Sequence, residues 1–142
     1  MISLKLCSKP FIIFNDNSQF NTVGVIPNKR GVTPRYDQIT LDIKDRENKF
    51  QQVLSPIADD EGVWIHQDAW FHMGNFEAGK TANYSIKKSG NGVYAFILSG
   101  AVTINGEALS NRDGMGIENA EELTILANTN AEILLMEVPM NV

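Results

Sequence analysis

The chain has 142 residues, 43% of them hydrophobic and 20% charged. That suits one ordinary domain with a real core and excludes wholesale disorder. Seventeen Asp and Glu outnumber twelve Lys and Arg, giving a net charge of -5, which argues against nucleic acid as a partner because a phosphate backbone needs a basic surface. The single cysteine, Cys7, cannot form an intrachain disulfide, so a disulfide scaffold is excluded and a reducing compartment is expected.

The first residues are broken by Lys5, Lys9 and Pro10 before a long apolar run develops, so no signal peptide is expected. No stretch of 18 apolar residues occurs, and neither a membrane partner nor a spanning segment is predicted. The expected location is cytoplasmic. Apolar residues recur mostly at period two, interrupted by Gly, Asn, Asp and Pro, which predicts an all-β sandwich or barrel. In chain order the predicted strands are Phe11–Phe14, Phe20–Ile26, Gln38–Ile43, Phe50–Leu54, Val63–Met73, Ala82–Lys87, Val93–Leu98, Val102–Ile104, Leu123–Ala127 and Ala131–Val138. Turns are expected between Asn28 and Gly31 and at Asn91-Gly92, Asn105-Gly106 and Asp113-Gly114, where Asn, Asp and Gly supply positive φ. The segment Asp42–Lys49 is charged and lacks an apolar stripe, so it reads as an exposed loop or one helical turn. Ala131–Val138 is apolar on both faces except for Glu132 and Glu137, which predicts a central strand.

Charge divides the chain. Residues 1–50 carry eight Lys or Arg and five Asp or Glu, whereas residues 51–142 carry four and twelve. With Pro56 and the acidic loop Asp59-Asp60-Glu61-Gly62, this predicts an arm and connector over 1–56, with one or two strands, and a β-barrel over 57–142.

Both histidines, His66 and His72, fall in Val63–Met73. Read as one strand, the segment puts Ile65, Gln67, Ala69, Phe71 and Met73 on a core face and Trp64, His66, Asp68, Trp70 and His72 on the other. His66 and His72 then lie about 20 Å apart, too far to share a metal. His66 and Asp68 are neighbours on one face, suited either to acid–base work or to a surface hydrogen bond. Trp64 and Trp70 on the outer face fit an interface, either with another subunit or with the arm. No nucleophile elbow, Cys-x-x-Cys or phosphate loop is present.

Val93-Tyr94-Ala95-Phe96-Ile97-Leu98-Ser99-Gly100, followed by Val102-Thr103-Ile104-Asn105-Gly106 and Asp113-Gly114, resembles the central hairpin of a cupin barrel. Ile65-His66-Gln67-Asp68-Ala69 with Ala78-Gly79 is similar to the start of the C-terminal cupin domain of the pirin family, which includes two-barrel quercetin 2,3-dioxygenases. Val25–Gln38 resembles the segment joining that family's two barrels. The fold implied is an all-β, cupin-like double-stranded β-helix, a jelly-roll barrel with an N-terminal strand-bearing arm.

The resemblance places the family's metal, iron or another divalent ion, in an N-terminal barrel on a His-x-His pair, a further His and a Glu. This chain has no His-x-His. In its own barrel the corresponding positions hold Val93 for the Glu, and Lys87 and Ser89, or Ile86 and Lys88, for the histidines. No metal or other cofactor is therefore predicted for this chain itself. Three functions follow as expectations: a non-catalytic module acting through homo-oligomer contacts or as half of a split two-barrel protein, with a separately encoded cupin half as partner; a quercetin 2,3-dioxygenase-like enzyme completed by a metal-bearing barrel; or a small-molecule-binding barrel. Ligand-binding residues are expected among His66, Gln67, Asp68, Tyr94 and Phe96, and interface residues at Trp64 and Trp70. The strand Phe20–Ile26 is expected to lack partners on both edges unless it joins its own barrel, a second copy or a separate barrel.

Overall fold

The computed structural model describes residues 2–6, 10–16, 19–24, 36–39, 43–57, 59, 63–64 and 68–140, with side chains described for 44–57, 59 and 68–140. Strands β1 (Ile2–Leu6), β2 (Pro10–Asp16), β3 (Gln19–Gly24) and β4 (Tyr36–Ile39) form an antiparallel sheet in the order β3-β2-β1-β4. Among the described residues, 1–56 thus hold these four strands and a fifth, Phe50–Ser55, where one or two were expected. The pairing of Phe20–Ile26, left open between its own barrel, a second copy and a separate barrel, is with the arm itself for the described part: β3 pairs with β2 from Phe11↔Gly24 to Asp16↔Gln19.

A turn of 3-10 helix, Ile43–Arg46, matches the expected single turn. Beyond it come β5 (Phe50–Ser55), β6 (Val63–Trp64), β7 (Trp70–Phe76), β8 (Thr81–Ser85), β9 (Asn91–Ser99), β10 (Val102–Ile104), β11 (Glu107–Leu109), β12 (Gly114–Ile117), β13 (Glu122–Ala127) and β14 (Ala131–Pro139). They form a six-stranded sheet, β12-β9-β14-β7-β5-β6, and a four-stranded sheet, β11-β10-β13-β8. The two are packed as a jelly roll, the all-β cupin-like architecture expected. β5 pairs with β7, so the larger sheet begins before residue 57. β14 lies between β9 and β7, the central position predicted from its apolar composition. No helix among the described residues is long and apolar enough to cross a membrane.

The core between the sheets contains Val93, Ala95 and Ile97 of β9, Ile133 and Leu135 of β14, Leu123 and Ile125 of β13, and Val102 and Ile104 of β10, each at most 2% exposed. Burying these side chains contributes about 1.5–3 kcal/mol each for the larger aliphatic groups. Asn105 (φ 49°) and Gly106 (φ 87°) form the tight β10–β11 turn expected there. Two other turns lie slightly upstream of their predicted places. Asn91-Gly92 belongs to β9, and Gly90 (φ 88°) makes the bend; Gly114 opens β12, and Arg112 (φ 68°) takes the left-handed conformation. Gly100 combines a φ of 84° with close packing, because a Cβ there would run into the carbonyl oxygen of Asn130.

The reading of Val63–Met73 as one strand is corrected. The segment contributes β6, which runs parallel to β5, and the start of β7, which runs antiparallel to β5. Within β7 the faces are also reversed. β7 pairs with β14 through Phe76↔Ala131, Gly74↔Ile133, His72↔Leu135 and Trp70↔Glu137, and directly opposed residues share a face. Trp70, His72, Gly74 and Phe76 therefore look into the barrel. Phe71 and Met73 lie on the outer face but are 1% and 2% exposed, with Arg46 of the 3-10 turn donating through Nη1 to Met73 Sδ at 3.5 Å. A sheet covered on both faces loses the alternation that distinguishes inside from outside.

Candidate functional site

The inward face of β14 runs Ala131, Ile133, Leu135 and Glu137, ending the apolar series on a carboxylate that is 0% exposed. A buried charge requires partners, and Glu137 has four donors. Its Oε1 accepts from the Tyr84 hydroxyl at 2.8 Å and the Lys87 backbone N–H at 2.8 Å. Its Oε2 accepts from the Lys88 backbone N–H at 3.2 Å and Asn91 Nδ2 at 2.8 Å. The carboxylate thereby ties β14 to β8, the start of β9 and the bend between them. Burial, then the hydrogen bond to Glu137, then the charge of that carboxylate push the Tyr84 phenol well above its ordinary pKa. Tyr84 remains a neutral donor.

Around this network stand aromatic side chains. His72 meets the Tyr84 ring edge-on at 5.0 Å, Phe50 meets Tyr84 at 6.2 Å, and Phe50 meets Phe76 at 5.0 Å. Gly74 leaves room for this group, since a Cβ there would lie 2.5 Å from Phe76 Cε2 and 3.0 Å from Phe50 Cδ1.

Those expected site residues that are described do not gather here. His66 and Gln67 lie outside the described residues, and of Trp64 only the backbone, paired through β6, is described. Asp68 forms an ion pair with Lys88 Nζ at 2.6 Å, both side chains being largely solvated. Trp70 is half-buried on the inward face rather than free on the outer one, because it shares the face of Glu137. Tyr94 and Phe96 alternate with the inward Val93, Ala95 and Ile97, so they occupy the outer face and do not line the interior. Tyr94 is 43% exposed, and Phe96 lies 6.0 Å beneath the Arg112 guanidinium.

The donor set does not fit a metal ion. Among the described residues no three His, Cys, Asp or Glu side chains converge on one point. Val93, where the cupin resemblance would put a ligating Glu, is an apolar core residue opposite Glu137. A carboxylate offers about four lone-pair positions, and Glu137 already receives four hydrogen bonds, so coordination would require breaking them.

The profile of the quercetinase C-terminal cupin domain matches residues 52–138, from β5 to near the end of β14. The chain belongs to this family. Quercetin 2,3-dioxygenase of Escherichia coli is 31% identical over 117 residues, covering 82% of this chain and 49% of that protein. A pirin-like protein of Caulobacter vibrioides is 31% identical over 116 residues, covering 81% and 50%. The chain thus spans about half the length of the curated relatives it matches. The crystal structure of YhhW from Escherichia coli superposes with a TM-score of 0.78 at 24% identity, over 96% of this chain and 68% of that one; at that identity the likeness establishes the fold.

Within this cupin domain, sequence reading missed the Glu137 network. The available signal was a carboxylate at the fourth inward position of an otherwise apolar strand. Its partners were less accessible, because two are backbone N–H groups of a bend and the others come from β8 and β9.

Proposed function

We propose that this cupin domain is a non-catalytic barrel that works by packing against other barrels, as a homo-oligomer or beside a metal-bearing cupin half encoded separately. The observation carrying this reading is Glu137. At the end of the barrel where Val93 takes the place of a metal-ligating Glu, the nearest carboxylate is committed to four internal donors. The interior beside it is filled by Leu135, Ala95 and Leu123. The curated relatives, of which the matched segment makes up about half, support the two-barrel form of the reading.

Metal analysis of the purified chain, with sedimentation at micromolar concentration, tests the proposal. The expected result is substoichiometric iron, nickel and copper, together with a mass above that of a monomer or a complex with a co-expressed His-x-His cupin. Stoichiometric metal that disappears in His66→Ala would overturn it, as would a monomer that binds no such partner. The relatives' name supports a second reading, in which quercetin 2,3-dioxygenase activity belongs to the completed pair. Activity in the mixture and none in either half would establish that form.

A further inference from the structure

A groove of about 450 Å³ runs along the seam between the two sheets, lined by Asn48, Lys49, Phe50, His72, Lys87 and the whole of β8. That volume lies in the range typical of small-ligand sites. β8 is the terminal strand of its sheet. Its register with β13 is flanked by bonds from Ala127 N to Lys80 O and from Ile86 N to Glu121 O, so antiparallel alternation turns the backbone groups of Thr81, Asn83 and Ser85 away from β13 and toward the seam. The apolar wall is aromatic: Phe50 and His72 both approach Tyr84 edge-on. The Lys87 ammonium lies 6.0 Å from the Tyr84 ring centre, and Lys49 lines the same groove.

Charge is sorted sharply here. Residues 51–142 carry twelve acids against four bases, yet among the described residues this groove is lined by Lys49 and Lys87 and by no carboxylate. The neighbouring groove, about 370 Å³ in volume, shows the opposite arrangement, with Glu47, Glu77 and Glu132 and no base among its described lining residues. Behind Tyr84 lies Glu137, whose oxygens are already taken by internal donors.

We propose that the seam groove binds a small aromatic carboxylate, its ring against Phe50, His72 and Tyr84 and its charge on Lys49 and Lys87. A planar ring suits a wall built from aromatic side chains, and the outward N–H groups of β8 add donors for carboxylate oxygens. This site rests on no metal and no partner chain.

The test is an NMR titration of the isotope-labelled full chain with benzoate at low ionic strength, with benzyl alcohol, acetate and inorganic phosphate as comparison ligands. Saturable benzoate shifts should centre on the amides of Phe50 and Thr81–Ser85. Lys49→Ala and Lys87→Ala should each weaken binding by about two- to fivefold, the range of exposed ion pairs. The Lys87 substitution keeps the backbone N–H that serves Glu137, and Lys49 is exposed, so both variants should retain the wild-type melting temperature. Benzyl alcohol binding as tightly as benzoate would overturn the role of charge. Acetate or phosphate binding as tightly would overturn the role of the ring. Shifts centred elsewhere, no saturable shift, or unchanged affinity in both lysine variants would overturn the site itself.

Discussion

Replacing Glu137 tests the reasoning about the barrel's buried carboxylate most directly. In Glu137→Gln the side chain keeps its shape but exchanges one acceptor oxygen for an NH2 group. If the amide nitrogen takes the Oε1 place, the Tyr84 hydroxyl can rotate to accept from it, but the Lys87 backbone N–H has no such freedom. If it takes the Oε2 place, the Asn91 amide can turn over, but the Lys88 N–H cannot. Either orientation leaves one backbone donor facing another donor, at a cost of about 1–3 kcal/mol. Glu137→Ala leaves all four donors without their acceptor and should cost about 3–5 kcal/mol, the range for breaking a buried charged network. For a domain of this size 1 kcal/mol corresponds to about 4 °C in Tm, so the Gln variant should melt about 4–12 °C lower and the Ala variant lower still. Urea unfolding gives the free energies, and hydrogen exchange at the Lys87 and Lys88 amides locates the loss. A Gln variant within about 0.5 kcal/mol of the parent, or an Ala variant no worse than Gln, would refute the assignment of this network as a structural tie.

The remaining predictions concern Tyr84, the core, a turn and the surface. Because the fold raises the Tyr84 pKa above the ordinary 10.0, the unfolded chain releases the phenolic proton first. Its stability contribution is therefore whole below about pH 10 and declines by up to about 1.4 kcal/mol per pH unit above it. Tyr84→Phe should remove that component of the alkaline loss, and identical alkaline slopes by urea unfolding would contradict it. Leu135→Asp puts an unpaired charge at a position that is 0% exposed and should abolish soluble folding; a soluble variant with unchanged melting would disprove the core assignment. Gly100→Ala meets both a positive φ and the Asn130 carbonyl, so a Tm decrease of several degrees is expected, and an increase would count against the turn geometry. Lys88→Ala removes only the solvated pair with Asp68 and should cost at most about 1 kcal/mol; a larger loss in urea unfolding would give that pair a structural weight its exposure does not support.

The parts legible in the sequence were those governed by short-range chemistry. Asn105-Gly106 carried its positive φ values in its residue types, and Ala131–Val138 carried its central place in being apolar on both faces. The short β11 and β12 escaped notice because Glu107–Leu109 and Gly114–Ile117 have little apolar alternation; they are strands because β10 and β9 provide edges for them. The orientation of β7 was illegible for a different reason. Phe71 and His72 are both buried, and the inward direction is fixed by pairing with Leu135 and Glu137 more than sixty residues away. The same long-range pairing moved Tyr94 and Phe96 from expected lining positions to the outer face. The seam groove was still less accessible, since it joins Lys49, His72 and Lys87 from three separate elements.

The packing of this barrel constrains where any chemistry can be placed. A jelly roll holding a ligand between its sheets keeps polar donors on the inward faces of several strands. Here β9, β10 and β13 present Val93, Ala95, Ile97, Val102, Ile104, Leu123 and Ile125 at those positions, all essentially inaccessible to water. Opening a cavity large enough for a substrate would require removing several of these side chains, and a single large-to-small change in such a core costs about 2–5 kcal/mol. The total would rival the 5–15 kcal/mol that stabilises a whole domain. Polar recognition is therefore better placed at the boundaries of the packed core, where backbone donors turn away from their sheet and charged side chains keep their solvent. The seam beside β8 combines both conditions with an aromatic wall, whereas the barrel interior has neither.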